Sequence, residues 1–253
     1  MDMENIAAVV SGGASGLGGA TAARLAAGGA KVTILDLNET LGQQHAGAIG
    51  GHFVKTDVSD PASVAAALDE AQERHGIARL LVNCAGIGLA KKTVEKDGTA
   101  HDFAAFRKVI EINLLGSFNT ASQFASRLVG LETEDEERGV IINTASVAAF
   151  DGQIGQAAYS ASKGGIVGMT LPMARDLAQS RVRVVTIAPG LFLTPLLAGL
   201  PEAAQASLGQ QVPFPSRLGN PDEYARMVEA IVTNPMLNGE TIRLDGAIRM
   251  APR

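Results

Sequence analysis

Three residues of types that can move a proton lie within a short stretch of the chain, at Ser146, Tyr159 and Lys163. Tyr159 and Lys163 are four positions apart, so on a helix both side chains project from one face. Ser146 follows the β-branched run at 140–142, which predicts a buried strand ending just before the serine. Because open α/β sheets bind ligands at the carboxyl ends of their strands, this spacing predicts a site where the three side chains converge.

The chemistry of such a trio follows from its side chains. A free tyrosine has a pKa near ~10 and is a poor base at neutral pH. A lysine ammonium one helical turn away would favour the phenolate and lower the pKa of Tyr159. Tyr159 could then exchange a proton with an alcohol, while the Ser146 hydroxyl hydrogen-bonds the oxygen whose charge changes. Tyr-x-x-x-Lys alone is weak evidence, and an ordinary helix carrying both residues is the alternative.

The composition excludes several classes of protein. A chain of 253 residues with 46% hydrophobic and 19% charged residues fits a large globular α/β domain better than a disordered chain. A net charge of −5 argues against nucleic acid or an anionic membrane as a partner. With Cys84 as the only cysteine, no intrachain disulfide is possible and a reducing compartment is allowed.

Other absences narrow the expectation further. The four histidines show no metal-ligand spacing, so no metal site is expected. The acidic N-terminus resembles neither a signal peptide nor a transit peptide. No apolar run reaches the roughly 18 residues that a transmembrane helix needs. We therefore expect a cytoplasmic protein with a small-molecule substrate.

A glycine-rich turn follows the first predicted strand, at 6–10, and precedes a helix rich in small residues. Gly12 permits a tight turn, Gly16 lets the backbone approach a pyrophosphate, and Gly18 allows close packing of helix on strand. The N–H groups at the start of the helix would then favour phosphate. A turn that only packs a helix is the alternative, but the flanking strand and helix favour a dinucleotide site.

Acidic residues lie at the ends of the next two predicted strands. Asp36 lies 20 positions after Gly16, the offset expected for a carboxylate that binds the adenosine ribose. Such a carboxylate repels a 2′-phosphate, and Leu37 offers no cation in compensation, so NAD is favoured over NADP. Asp57 could accept a hydrogen bond from the adenine amino group, with Val58 packed on the ring.

Two further features lie near the expected site. The fourth predicted strand ends in Asn83-Cys84-Ala85-Gly86, small residues against which a cofactor ring and ribose could lie. Asn113 falls inside a helix predicted over 102–129, where asparagine is unfavourable. It either forms a local hydrogen bond or holds a water near the site.

The connecting segments are less informative. We expect exposed loops at 89–101 and 131–138, and Pro172 should distort the helix that follows Tyr159. Residues 196–216 form either a mobile flap over an apolar ligand or a poorly periodic surface helix.

Strands and helices alternate along the chain with no linker or repeat between two halves. This pattern predicts an α/β fold: a single-domain, Rossmann-like doubly wound parallel sheet with helices on both faces. We expect one domain over 1–253, with a cofactor-binding part at roughly 6–150 and a catalytic and substrate-loop part at roughly 139–253.

Taken together, these residues resemble the short-chain dehydrogenase/reductase family over essentially the full chain. The shared motifs are the glycine turn, Asn83-x-Ala85-Gly86, Asn113, Ser146, Tyr159-x-x-x-Lys163 and Pro189-Gly190. Several motifs in the right order are far more specific than any one of them, so the resemblance favours a catalytic site. Ser11 stands where the family usually has threonine, a departure that retains the hydroxyl.

The resemblance implies a role for each member of the site. Tyr159 would be the general base in oxidation and the general acid in reduction, and Lys163 would lower its pKa and bind the nicotinamide ribose. Ser146 would orient and polarise the substrate oxygen, and Asn113 would hold a water for proton relay. Substrate contacts are expected at Ser146 and Tyr159. NAD contacts are expected at Gly12, Ser15, Gly16, Leu17, Gly18, Asp36, Asp57, Val58, Cys84, Ala85, Gly86, Tyr159, Lys163, Pro189, Phe192 and Thr194.

Four longer segments, at 139–150, 152–172, 212–219 and 244–250, are similar to family members that oxidise 3-hydroxyacyl-CoA or hydroxysteroids. The resemblance therefore implies NAD-dependent oxidation of a secondary alcohol, most simply a 3-hydroxyacyl-CoA, by a homotetramer. One alternative is a 3-oxoacyl carrier-protein or other ketone reductase, which would normally use NADPH. Others are a dehydrogenase for steroids or branched-chain intermediates only, and a catalytically silent nucleotide-binding scaffold.

Overall fold

The structure is a computed structural model that describes residues 1–252. Within those residues, seven strands form one sheet: β1 (Ala7–Ser11), β2 (Lys31–Asp36), β3 (His52–Lys55), β4 (Ala78–Asn83), β5 (Gly139–Thr144), β6 (Val182–Pro189) and β7 (Thr241–Leu244). Their order in the sheet is β3-β2-β1-β4-β5-β6-β7, and every pairing is parallel.

The helices of the described chain are α1 (Gly16–Ala27), α2 (Glu39–Ile49), α3 (Pro61–His75), α4 (Phe103–Ile110), α5 (Gly116–Leu128), α6 (Ala157–Asp176), α7 (Pro195–Ala198), α8 (Glu202–Gln210) and α9 (Pro221–Thr233). No helix was predicted for α2, at Glu39–Ile49. This helix buries only Gly42 and Ala46, so it shows almost no apolar periodicity to detect.

Apolar side chains cover both faces of the sheet, as a doubly wound fold requires. Successive strand residues point to opposite faces, and pairs such as Val9 and Val10 belong to different cores. One core packs against α1 and α9 through residues such as Leu25 and Val228. The other packs against α3 and α5 through residues such as Val64 and Phe124. The predicted fold class is confirmed.

The direction of winding reverses between β1 and β4, which are neighbours in the sheet but not in the chain. The carboxyl ends of β1, β4 and β5 therefore meet at one edge, where a crevice forms between the connections. The glycine turn, the Asn83–Gly86 stretch and Ser146 all leave the sheet at this edge. The topology thus brings together three motifs that are spread over more than 130 residues of sequence.

The helix predicted over 102–129 is interrupted. It consists of α4 and α5 joined by a π-helical turn at Glu111–Leu115, with Asn113 at the centre of that turn. π turns inside α-helices are frequent at functional sites. Pro172, by contrast, lies inside α6 without ending the helix.

The loop at 89–101 is exposed over most of its length, as expected, but the loop at 131–138 is only partly solvated. Glu137 is buried there and accepts a 2.5 Å hydrogen bond from Arg183 Nε on β6. Burial raises the pKa of Glu137, but the hydrogen bonds and charges of Arg183 and of the Met1 ammonium outweigh burial and leave the pKa below its usual value. One acid of this run is therefore buried and ion-paired, which the acidic composition of the loop does not indicate.

Two kinds of feature are absent from the described residues. No helix there is both long and apolar enough to cross a bilayer. No group of three His, Cys, Asp or Glu side chains there is arranged to hold a metal ion.

Candidate active site

A cavity of about 880 Å³ opens at the carboxyl edge of the sheet. It runs from the ends of β2 and β3, past the glycine turn, to the start of α6. Every residue predicted to contact cofactor or substrate lines it: Gly12, Ser15, Gly16, Leu17, Gly18, Asp36, Asp57, Val58, Cys84, Ala85, Gly86, Ser146, Tyr159, Lys163, Pro189, Phe192 and Thr194. Of the proposed catalytic residues, only Asn113 does not line it.

The first two turns of α6 and the turn after β5 bring together the three side chains that were expected to move a proton. Tyr159 and Lys163 lie on one face of α6, and Lys163 Nζ is 5.7 Å from the centre of the Tyr159 ring. Ser146 precedes a short 3₁₀ turn, where its Oγ accepts a 3.1 Å hydrogen bond from Ala148 N. The Ser146 hydroxyl also lies close enough to Tyr159 to lower the pKa of the phenol. An alcohol oxygen placed at this hydroxyl pair would meet both a proton acceptor and a hydrogen-bond donor.

The structure corrects the expected electrostatics of Tyr159. Burial raises the pKa of this phenol, and the hydrogen bond with Ser146 lowers it by less, so the net pKa lies above the usual value. Lys163 was expected to lower the Tyr159 pKa, but no such effect of its charge is found. The reason is that desolvation of the phenolate dominates in a closed apolar pocket.

Lys163 is itself strongly affected by burial. Its Nζ donates a 2.7 Å hydrogen bond to the Thr144 carbonyl oxygen at the end of β5. Burial lowers the pKa of Lys163 to about 8, because its contact is a neutral carbonyl rather than a carboxylate. The amine is thus mostly charged at pH 7 and readily loses that charge in mildly alkaline solution.

Asn113 lies behind the cavity rather than in it. Its Nδ2 donates to Ile87 O (2.9 Å) and to Ser162 Oγ (3.0 Å), and its Oδ1 accepts from Ile87 N (2.8 Å). It therefore links the segment after β4 to α6, close to Lys163. Both amide hydrogens are used in this link, so the relay of water assigned to Asn113 stays a prediction.

Close contacts within the protein require glycine at two positions of the glycine turn. Gly12 has φ +66°, and a Cβ there would lie 2.6 Å from Ala85 N. A Cβ on Gly18 would clash with the Gly12 carbonyl oxygen. Ser15, at the N-cap of α1, makes no side-chain cap within the described chain. The first N–H groups of α1 are thus available to the cavity, which suits a pyrophosphate.

The far end of the cavity is lined by a carboxylate. Asp36 Oδ2 accepts from Ala14 N (3.1 Å) and Oδ1 accepts from Asn38 N (3.0 Å), which fixes the side chain at the end of β2. Among the described residues that line the cavity, Lys163 is the only one with a cationic side chain. Lys163 is at the catalytic end, so a 2′-phosphate beside Asp36 would meet an anion and no cation.

Sequence reasoning missed two residues that support Lys163. Thr144 supplies the carbonyl for the lysine, and its Oγ1 is 2.7 Å from the hydroxyl of Tyr224 on α9. Tyr224 is fully buried and also receives a 3.7 Å hydrogen bond from Cys84 Sγ. Burial raises the pKa of the Cys84 thiol, so this cysteine is a packed, protonated neighbour. In the sequence, the only indication of this role was the position of Tyr224, a residue with a polar hydroxyl on the otherwise apolar face of α9.

The segment after β6 forms two short helices, α7 and α8. Phe192, Thr194, Pro195 and Leu197 line the cavity, whereas α8 does not. The segment is thus part cavity wall and part surface helix, and the mobile flap stays a prediction.

Comparison with known proteins agrees with this geometry. A family model described as short chain dehydrogenase matches residues 6–205. The 3-hydroxyacyl-CoA dehydrogenase type-2 of Rattus norvegicus is 54% identical, covering 99% of this chain and 97% of the relative. The protein of the same name from Drosophila melanogaster is 52% identical, covering 99% of this chain and 100% of the relative.

A solved structure shows the same architecture. The crystal structure of 3-hydroxyacyl-CoA dehydrogenase type-2 from Mycobacterium avium superposes with a TM-score of 0.93. It is 42% identical in sequence, and the match covers 98% of both chains.

Proposed function

The chain belongs to the short-chain dehydrogenase family, and on this premise we propose that it oxidises 3-hydroxyacyl-CoA to 3-oxoacyl-CoA with NAD. One observation carries the proposal: the Ser146, Tyr159 and Lys163 side chains converge at one end of a cavity whose other end has a dinucleotide cradle. The two relatives that are more than half identical over nearly their whole length, both named 3-hydroxyacyl-CoA dehydrogenase type-2, support the acyl-CoA as substrate.

The reaction removes a hydride and a proton from the carbinol group. When bound, NAD supplies the acceptor for the hydride. The proton of the substrate hydroxyl passes to the Tyr159 oxygen, and Ser146 donates a hydrogen bond to the substrate oxygen as it becomes a carbonyl. Because the pKa of Tyr159 lies above its usual value, the phenolate is scarce at neutral pH. Oxidation is then expected to speed up as the pH rises.

A turnover panel tests this function. Wild-type protein is assayed with 3-hydroxyacyl-CoAs of increasing chain length and with hydroxysteroids, each with NAD and with NADP. We expect reduction of NAD by the acyl-CoA substrates. Activity with steroids alone would favour the narrower alternative, and activity only in ketone reduction with NADPH would favour the reductase.

The family implies a nicotinamide cofactor, and we propose NAD rather than NADP because of Asp36. Asp36→Asn retains an oxygen that can accept from Ala14 N but removes the charge that repels a 2′-phosphate. The ratio of kcat/KM with NAD to kcat/KM with NADP should fall by roughly tenfold or more. Adding Leu37→Arg should lower it further.

The control for this cofactor test is Glu39→Gln, an exposed acid in the first turn of α2. That variant should leave the ratio unchanged. An Asp36→Asn enzyme with wild-type preference would mean that selectivity lies elsewhere in the cavity.

We also propose a homotetramer. Apolar side chains on the adjoining helices α4, α5 and α6 are at least two-fifths exposed, which is typical of surfaces that pair with another chain: Phe103, Phe118 and Leu171. Light scattering after size exclusion should give four times the chain mass, and a monomer would contradict the proposal. A cytoplasmic location stays a prediction, which cell fractionation can test.

A further inference from the structure

Arg243, on β7, links three parts of the chain at the catalytic end of the cavity. Its guanidinium donates to Asp245 (2.7 Å), to Asp151 in the loop after Ser146 (2.6 Å) and to Ile248 O (3.0 Å). The same group lies 5.1 Å from the centre of the Phe150 ring. With about a fifth of its side chain exposed, Arg243 is screened from solvent, so its ion pairs are stronger than surface pairs.

Residues 245–252, the 245–252 segment, follow β7 and are anchored against the same loop. Ile248 is buried, and farther along, Ile154 N donates to Pro252 O (3.1 Å) and Gln153 Nε2 donates to Ala251 O (3.0 Å). The segment thus lies along the loop that connects Ser146 to Tyr159, held at both of its ends.

Between these anchors, Met250 lines the cavity beside Gln153 and Gln156. Its position along the cavity follows from the sheet order. The segment leaves β7 at one edge of the sheet, whereas Asp36 and Asp57 follow β2 and β3 at the other. Met250 is therefore at the end where Tyr159 lies, on the side that a substrate must occupy.

We propose that the 245–252 segment is the outer wall of the substrate end, that Met250 limits the acyl chain admitted, and that Arg243 positions this wall. The identity of the substrate as an acyl thioester rests on the proposed function. Methionine suits such a wall because its flexible, polarizable side chain adapts to an apolar ligand. Arg243 touches neither reacting atoms nor cofactor, so it acts through the wall that it holds.

Met250→Ala tests the wall directly. Removing the side chain enlarges the cavity, so the ratio of kcat/KM for 3-hydroxyoctanoyl-CoA to that for 3-hydroxybutyryl-CoA should rise by roughly tenfold. The matched control is Met236→Ala, since Met236 is 90% exposed and away from the cavity. An unchanged chain-length ratio in Met250→Ala would overturn the assignment.

Arg243→Ala tests the positioning role. Freeing the segment should raise KM for every acyl-CoA by roughly tenfold, flatten the chain-length preference and lower kcat far less, because Tyr159 is held by α6. Arg243→Lys should recover only part of the KM, since lysine lacks the planar fork. The control is Arg226→Ala, since Arg226 is an exposed arginine that pairs with Asp222 on α9 and lies outside the wall. A fall in kcat with KM and chain preference unchanged would contradict a positioning role.

A readout without substrate separates this proposal from the proposed function. Hydrogen exchange of the Ile154 amide, which donates to Pro252 O, should be at least tenfold faster in Arg243→Ala and unchanged in Arg226→Ala. If the wild type oxidises no acyl-CoA but this exchange pattern holds, the function fails and the wall stands. If acyl-CoAs are oxidised but exchange does not change, the wall proposal fails alone.

Discussion

Tyr159→Phe is expected to lower kcat for 3-hydroxybutyryl-CoA oxidation by about a thousandfold, the scale of positioned acid–base catalysis. Tyr159 lines this end of the cavity together with Ser146, whose hydroxyl is close enough to affect the pKa of the phenol. The phenylalanine ring preserves the packing, so the Kd for NADH should change by no more than about threefold. Fluorescence titration with NADH and steady-state kinetics on the same preparation separate the two effects.

The other tyrosine of the chain provides the control. Tyr224 is buried behind the cavity, and its hydroxyl contacts Thr144 rather than the substrate space. Tyr224→Phe should therefore lose stability rather than most of its turnover. Equal losses of kcat in the two variants would remove the special role assigned to Tyr159.

The pH dependence follows from the sign of the Tyr159 shift. Oxidation needs the phenolate, and the pKa of Tyr159 lies above its usual value. In the wild type, kcat/KM for oxidation should therefore rise continuously through the neutral and mildly alkaline range. Reduction of 3-oxoacyl-CoA needs the protonated phenol and should show no such rise.

Lys163→Met should combine a large loss of activity with a gain in stability. The wild-type protein must bury an amine whose pKa falls from 10.5 to about 8. One pKa unit corresponds to about 1.4 kcal/mol, so keeping this group charged at pH 7 costs as much as about 3 kcal/mol of folding free energy. Methionine removes that cost but also the hydrogen bond to Thr144 O, so we expect a net gain of about 1–2 kcal/mol.

The sign of the stability effect can be checked against pH. Between pH 8 and 10.5 the unfolded wild-type chain binds more protons than the folded one, so wild-type stability should rise across this window. Lys163→Met should lack this rise, whereas Lys108→Met, at an exposed position on α4, should retain it. Urea unfolding at pH 7 and pH 9.5 measures both. A Lys163→Met protein less stable than wild type at pH 7 would show that the buried amine stabilises the fold.

Much of the fold could be predicted because its signals are local. Fully buried strands appear as continuous β-branched runs, and the second strand ends at Asp36 as predicted. The glycine turn was recognisable because its three glycines lie within one strand–turn–helix unit. The helix α2 was missed because it is almost entirely exposed and shows no apolar stripe.

The residues of the candidate site could be predicted from the sequence, but their pKa values could not. The spacing of Tyr159 and Lys163 indicates that they share a helix face, yet it cannot give their solvation. Burial decides both pKa values, and it reversed the expected direction for Tyr159. The same limit applies to Glu137, whose pairing with Arg183 joins residues 46 positions apart.

Residues that act from a distance were invisible for a different reason. Tyr224 and Arg243 match no motif, because each acts through contacts with segments remote in sequence, at Thr144 and Asp151. Such contacts depend on which strands are neighbours in the sheet. They became evident only once the order of β5, β6 and β7 was known.

We propose that a hydride leaves the substrate carbinol carbon while Tyr159 takes the hydroxyl proton. The most direct test uses 3-hydroxybutyryl-CoA labelled with deuterium at carbon 3, with NAD and the wild-type protein. We predict that deuterium appears in the dihydronicotinamide ring of the NADH formed, with one equivalent of 3-oxobutyryl-CoA. NADH without deuterium, or no NADH at all, would show that no hydride passes from carbon 3 of the substrate to NAD.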